Sequence, residues 1–328
     1  MKQVSNINVS SFREAVLAAQ EASANGQQYA FSGGGTDLLQ QIKDGTDLAD
    51  VIINLRNIEE GGHIASSSAD VTLSGLTTLT ELESDARVIS TLTAVAQAAA
   101  SVGTPQIRNV ATLAGNVTQR PWCWYYRNGF DCYKAGGDQC FSVNGENGQH
   151  AIFGGGPSFI VHPSDIAPAL VAFDAVFQVA GADGEREIPA DEFFLLPRVD
   201  PARENALAAG ELLTGVRIPL PSASTVSTYN KIMDRAAWTH AEVGVATVIQ
   251  RSGNEIDSAR IVLGGVAPIP WRVEAVEAFL QGKQISSAVA HEAGELAIAE
   301  AQPLAKNRHK LPMTVAAIED AILSLAAG

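Results

Sequence analysis

Apolar positions alternate with polar ones in two periods along the chain. Phe12, Ala15, Val16, Ala19 and Ala22 recur at helical spacing up to Gly26, and Ser11 followed by Glu14 reads as a capping box at their start. Tyr29-Ala30-Phe31 is a short apolar strand that runs into Ser32-Gly33-Gly34-Gly35-Thr36-Asp37, after which Leu38, Leu39 and Ile42 begin a helix ending near Gly45. Val51-Ile52-Ile53-Asn54-Leu55 is a strand by its β-branched content. Residues 1–58 therefore read as a small β/α unit. A second α/β segment, 59–221, begins with the strand Val71-Thr72-Leu73 and a long alanine-rich helix over about 88–101. It holds a glycine- and aromatic-rich insert at 122–157, a hairpin around Asp183-Gly184, a surface loop over 197–210 and a strand at 212–216. After Pro219-Leu220-Pro221 the pattern changes. Segments 229–233, 243–250 and 256–266 read as three antiparallel strands, and helices follow near 272–281, 287–300 and 313–326, so 222–328 forms a third unit. The fold class is α+β: two N-terminal subdomains, then a three-stranded antiparallel sheet with a helical layer.

The chain has 328 residues, 46% of them hydrophobic and 18% charged, which is the composition of a folded protein with a substantial core. Its net charge of -14 repels phosphate backbones and anionic lipid, so nucleic acid and membrane surfaces are poor partners. No apolar run approaches a membrane span, and the polar start Met1-Lys2-Gln3-Val4-Ser5-Asn6 has no export-signal character. The expected location is cytoplasmic, or periplasmic if a partner carries the signal.

Candidate chemistry sits in four places. The loop Gly33-Gly34-Gly35-Thr36-Asp37 lies between a strand and a helix, where backbone N–H groups can hold a pyrophosphate. It is neither a standard dinucleotide fingerprint nor a P-loop, and a tight turn with Thr36 or Asp37 capping the helix explains it equally well. Gln106-Ile107-Arg108-Asn109 and Thr112-Leu113-Ala114-Gly115-Asn116 make a second loop of small, hydrogen-bonding residues. Alone it reads as an ordinary turn; together the two loops suit one extended phosphate-bearing cofactor. Cys123-x8-Cys132-x7-Cys140 holds all the cysteines among many aromatic residues. Such thiolates can ligate zinc or an iron–sulfur cluster, but three fall short of four and the spacing is not CxxC, so unpaired thiols are the simpler reading. His162-Pro163-Ser164-Asp165 precedes an apolar helix that Ser164 or Asp165 can cap. No histidine pair has metal-ligand spacing, and hydrolase motifs are missing.

The order of these pieces resembles the FAD-binding medium subunit of the molybdenum hydroxylases, the family of xanthine dehydrogenase, carbon monoxide dehydrogenase and bacterial aldehyde oxidoreductases. Its further carriers are Glu204-Asn205, Gly210-Glu211-Leu212-Leu213 and Tyr229-x-Lys231 with Arg235, Ala241 and Val243. The resemblance implies that Ser32, Gly33, Gly34, Gly35, Thr36 and Asp37, with Thr112, Ala114, Gly115 and Asn116, hold the FAD pyrophosphate, and that Asp165 and Lys231 lie by the cofactor. A Lys231 cation at the flavin edge would stabilise the reduced ring. Ala114 departs from the family, where a second glycine is usual, and its methyl would crowd the phosphate. The insert resembles a sub-branch that carries an extra 4Fe-4S cluster. Cys123, Cys132 and Cys140 match three of its ligands, and Ser158 stands where the fourth cysteine is expected.

The resemblance implies an oxidoreductase: an electron-transfer subunit that carries FAD, partnered by a molybdenum-cofactor large subunit oxidising an aldehyde or N-heterocycle and a small subunit with 2Fe-2S clusters. The flavin does the chemistry, so no side chain is expected to be catalytic. The alternatives are a stand-alone FAD oxidase and a scaffold that has lost its cofactor.

Overall fold

The structure is a computed structural model and describes residues 3–59 and 63–326. Three sheets follow one another along the chain. The first is parallel, in the order β1-β3-β2, from β1 (Ser5–Asn8), β2 (Tyr29–Ser32) and β3 (Val51–Asn54). Ala15, Val16, Ala19 and Ala22 of the helix Phe12–Ala24 pack on Val51 and Ile53 of its central strand, so the apolar stripe read from the sequence is the face that is buried. Ser11 caps that helix by accepting from the Glu14 N–H, but Glu14 returns the bond to Ser10, not to Ser11, so the capping box is displaced by one residue.

The second sheet is antiparallel, in the order β4-β5-β8-β6-β7, from β4 (Ile64–Ser66), β5 (Asp70–Ser74), β6 (Val176–Gly181), β7 (Gly184–Pro189) and β8 (Leu212–Pro219). Leu73, Phe177 and Val216 bury against Leu79, Leu92, Val95 and Leu170 from the helices above it. The alanine-rich helix expected as one piece is two, Ala86–Thr91 and Thr93–Ala100, broken at Leu92 (φ -125°, ψ 49°). At the break the Ala94 N–H donates to Ser227 Oγ, a long-range cap that no local pattern announces.

The third sheet, β12-β11-β10-β9, comprises β9 (Thr225–Ile232), β10 (Val243–Ser252), β11 (Glu255–Gly264) and β12 (Trp271–Arg272). It has the three antiparallel strands expected and a fourth of two residues, which follows Pro268-Ile269-Pro270 and was hidden by those prolines. Val243, Val245 and Ile249 face the helices Glu274–Leu280, Ser287–Ala297 and Lys310–Ser324, while Tyr229, Ala246 and Val262 belong to the core of the second unit. Burial on both faces explains why Val243–Thr247 lacks the alternation of a half-exposed strand. Among the described residues no helix is long and apolar enough to cross a membrane.

Candidate functional site

β2 delivers the chain to the glycine loop, and the helix Leu38–Asp44 leads it away to a left-handed cap at Gly45. The second loop lies directly against the first. A Cβ on Gly34 would stand 1.9 Å from the Val110 carbonyl oxygen, and one on Gly33 would stand 2.7 Å from Thr112 Oγ1. Only Gly35 of the three has positive φ, at 73°. Glycine is thus demanded at Gly34 by the approach of the Val110 backbone, at Gly33 by the Thr112 side chain, and at Gly35 by the turn itself. Thr112 caps the helix Leu113–Val117 by accepting from the Gly115 N–H at 3.2 Å.

Between the loops opens a cavity of about 660 Å³, lined by Ser32, Gly33, Gly34, Gly35, Thr36, Asp37, Thr112, Gly115, Asn116 and Asp165. Ten of the twelve positions expected to hold the cofactor are therefore brought together. Ala114 is not in the lining: it packs on the core of the second unit, so its methyl does not crowd the cavity. Lys231 is not in the lining either. Its ammonium donates to Asp165 Oδ2 at 2.8 Å, the Ser101 carbonyl at 3.1 Å and the Thr239 carbonyl at 3.2 Å, so it stands behind Asp165 and Thr239, which do line the cavity. The wall that the sequence reading passed over comes from Arg120, just before the insert, from Trp122 and Tyr126 within it, and from Arg235, Trp238, Thr239 and His240 of the third unit. The Trp238 N–H donates to the Gly103 carbonyl, which docks this last segment onto the second unit. Arg235 was the one signal for it.

Asp37 stands at the start of its helix without capping it. Its carboxylate instead accepts from Arg127 Nη2 at 2.7 Å, Gln41 Nε2 at 2.8 Å and the Arg120 N–H at 3.2 Å. The Arg127 guanidinium lies 4.3 Å from the centre of the Trp122 ring and bonds the Pro121 and Arg120 carbonyls. The insert therefore grips the glycine loop through one buried cation. On the far side, Asp165 accepts from the Tyr229 hydroxyl at 2.8 Å as well as from Lys231; burial and that carboxylate push the Tyr229 hydroxyl's pKa well up. Ser164, not Asp165, takes the capping role by accepting from the Ala167 N–H, and its own hydroxyl donates to Asn116 Oδ1 at 2.5 Å.

The three cysteines are unpaired. Cys123 Sγ lies 3.4 Å from His150 Nε2 and Cys140 Sγ lies 3.1 Å from Ser142 Oγ, while Ser158 is buried. Burial, with a smaller contribution from the nearby Cys132 and Cys140, pushes the Cys123 thiol up to about 11. Among the described residues no three His, Cys, Asp or Glu side chains converge as a metal site. As they stand, then, these residues do not form a metal centre. FAD is a different matter: an extended cavity between two loops, so tight that only glycine fits, suits an extended pyrophosphate cofactor.

Residues 3–221 match the family described as the FAD binding domain in molybdopterin dehydrogenase, and residues 228–312 match the CO dehydrogenase flavoprotein C-terminal domain. The chain is 33% identical over 316 residues to the aldehyde oxidoreductase FAD-binding subunit PaoB of Escherichia coli (strain K12), covering 95% of this chain and 94% of that one. It is 27% identical over 271 residues to the carbon monoxide dehydrogenase medium chain of Hydrogenophaga pseudoflava, covering 82% and 78%. The fold is shared with the solved carbon monoxide dehydrogenase from Hydrogenophaga pseudoflava, at a TM-score of 0.77 and 24% identity over 98% of this chain and 96% of that one. With two successive family matches in the order of the sheets, and a relative alike over nearly its full length, the chain belongs to the FAD-binding subunits of the molybdenum hydroxylase family of oxidoreductases.

Proposed function

We propose that the chain holds FAD in the cavity between the two loops and passes electrons from the iron–sulfur clusters of a small subunit to an acceptor, in a complex whose molybdenum-containing large subunit oxidises an aldehyde. The observation that carries this reading is the contact of the glycine loop with Val110 and Thr112, which leaves one continuous cavity lined by both. FAD, when bound, supplies one- and two-electron exchange. The chain's own part is to bind it through the loops, to orient it against the Asn116–Ser164 and Asp165–Lys231 pairs, and to shield it with Trp122 and Trp238. An aldehyde is favoured over an N-heterocycle because the similarity to the aldehyde oxidoreductase subunit, 33%, exceeds that to the nicotinate dehydrogenase FAD-subunit of Eubacterium barkeri, 24%. The test is to purify the native complex, quantify flavin, iron and molybdenum, and follow flavin bleaching with an aldehyde and with a purine. Bleaching by the purine alone would overturn the substrate class, and a flavin-free complex would overturn the whole reading. The complex is expected in the cytoplasm, or in the periplasm where a partner supplies the export signal; cell fractionation separates the two.

A finer reading gives the insert a 4Fe-4S cluster on Cys123, Cys132 and Cys140 with Ser158 at the fourth corner. It is supported by the confinement of the thiols to one aromatic-rich segment and by the family resemblance. Anaerobic purification with iron and acid-labile sulfide analysis decides it. About four irons per flavin beyond those of a partner support it, and none leaves three unpaired thiols.

A further inference from the structure

A pyrophosphate brings negative charge into the flavin cavity, whose wall already holds the carboxylates of Asp37, Asp47 and Asp165. Asp37 is matched by Arg127 at 2.7 Å and Asp165 by Lys231 at 2.8 Å, both cations standing outside the lining. The cations within the lining are Arg120 and Arg235. Arg235 is exposed, and its Nη2 donates to the Trp238 carbonyl at 2.7 Å, so salt screens its charge. Arg120 is placed differently.

It belongs to a cluster whose charges do not cancel. Arg120 Nε lies 3.0 Å from Glu204 Oε2, and Lys134 Nζ lies 2.8 Å from Glu204 Oε1. The Glu204 and Lys134 side chains are 5% and 1% exposed, so one buried carboxylate serves two cations. The other acceptors are neutral: the Lys134 and Ala202 carbonyls for Arg120 Nη2, and the Arg203 carbonyl for Lys134. Asp200 also lies near Lys134, but its carboxylate accepts from the Ala202 N–H and forms no ion pair with either cation among the described residues. One positive charge is left in excess. Such a charge is costly where water is scarce, and an anion set against it removes the cost. Arg120 is the member of the cluster that lines the cavity, and no hydrogen bond to a described residue engages its Nη1. Its guanidinium lies 5.1 Å from the centre of the Tyr126 ring, which lines the same cavity, and its own N–H donates to Asp37 at the end of the glycine loop.

We propose that Arg120 is a cofactor-binding residue: its Nη1 donates to a pyrophosphate oxygen of FAD, and Glu204 and Tyr126 hold the guanidinium in place for it. The proposal rests on the flavin reading above. The glycine loops offer the phosphates only backbone dipoles, whereas Arg120 adds a full charge on a rigid fork. The excess charge selects the phosphates of the cofactor, not its rings.

FAD is titrated calorimetrically into the full chain freed of flavin, at low and at high NaCl. Arg120→Met should weaken FAD about 10- to 100-fold at low salt, the worth of a hydrogen bond from a charged group, and the gap to the parent should narrow at high salt. Arg120→Lys, which keeps the charge, should bind within about 5-fold of the parent. Glu204→Gln keeps the shape of the cluster and removes only the competing carboxylate charge, so FAD should bind as tightly or more tightly even though the chain unfolds more easily. Should Arg120→Met fail to fold, Arg120→Gln takes its place, and should both fail, Arg120→Lys and Glu204→Gln carry the test. FAD affinity unmoved by the loss of Arg120, a loss that salt does not change, or an Arg120→Lys chain that binds FAD no better than the neutral variants overturns the proposal. So does a weakened Glu204→Gln chain, which would make Arg120 a strut of the insert. A parent chain that binds no FAD sinks the reading beneath, whereas FAD held as tightly without Arg120 sinks this inference alone.

Discussion

The glycine loop and the cysteine insert meet at the Asp37–Arg127 pair but are held in opposite ways. The loop is backbone against backbone, and its specificity comes from side chains that are missing: there is no room for a single added carbon at Gly34. The insert is held by its side chains. Tyr125, Phe130 and Phe141 pack edge to face or stacked, and Arg127 and Lys134 are buried charges matched by Asp37 and Glu204. Steric exclusion is all-or-none, whereas a buried ion pair fails by degrees as its partners are lost. The two halves of the site should therefore respond differently to substitution.

The largest effect is expected at the loop. Gly34→Val would drive its side chain into the Val110 carbonyl, in a turn where the Val110 and Ala111 N–H groups both donate to the Ile107 carbonyl, so FAD retention should be lost completely. Flavin absorbance of the purified variant checks this, and full FAD content would remove the loop from the site. At the insert, Arg127→Met strands the Asp37 carboxylate. Removing one partner of a buried pair costs about 3–5 kcal/mol, and the low end is expected because Asp37 keeps Gln41 and the Arg120 N–H. Denaturant unfolding measures it; a loss below about 1 kcal/mol would mean the insert does not brace the loop.

Acid should come next. Burial pushes the His162 imidazole down to about 3, so between that value and its ordinary 6.5 the unfolded chain binds a proton the folded chain refuses. Stability contributed by neutral His162 is whole above about pH 6.5 and falls as the pH drops, by on the order of 3 kcal/mol at pH 4. His162→Gln should flatten that part of the thermal-stability profile, and identical slopes would assign the acid loss to other groups. The smallest effect sharpens the contrast from the other side. Ala114→Gly should leave FAD content unchanged and cost about 0.5–1 kcal/mol as a glycine inside a helix, whereas tighter FAD binding would show that the methyl reaches the cofactor after all.

Local chemistry explains which parts were legible beforehand. The helix Phe12–Ala24, the hairpin of β6 and β7 and the strands β9 to β11 each announce themselves by period, cap or turn residue, and the structure contains them. The break at Leu92 depends on Ser227, more than a hundred positions away, and so has no local signature. At the site, the residues alone left the glycine loop open between a tight turn and a phosphate cradle, because the backbone approach of Val110 that demands Gly34 is long-range, and Asp165 was indicated only by the family resemblance. The wall made by Trp122, Trp238 and His240 was not legible, since aromatic residues in loops carry no spacing rule. Lys231 is a different case: the family resemblance implied a cation beside the cofactor, and the structure puts its ammonium on Asp165 and two carbonyls, a set of partners that no spacing in the sequence announces.

The flavin cavity draws its walls from residues near 31–47, 102–126, 163–165 and 235–240. No two of the three sheets can make it alone, and the last segment leaves the ribosome some two hundred residues after the first. The cofactor site is therefore completed late in synthesis, and FAD cannot template the early steps of folding. What it can do is act afterwards as a bolt through three plates. Ligand held at a hundred times its dissociation constant adds about 2.7 kcal/mol to the closed state alone, so stripping the flavin should first free the 235–240 segment from Gly103, seen as faster amide exchange at Trp238, before either N-terminal sheet is disturbed.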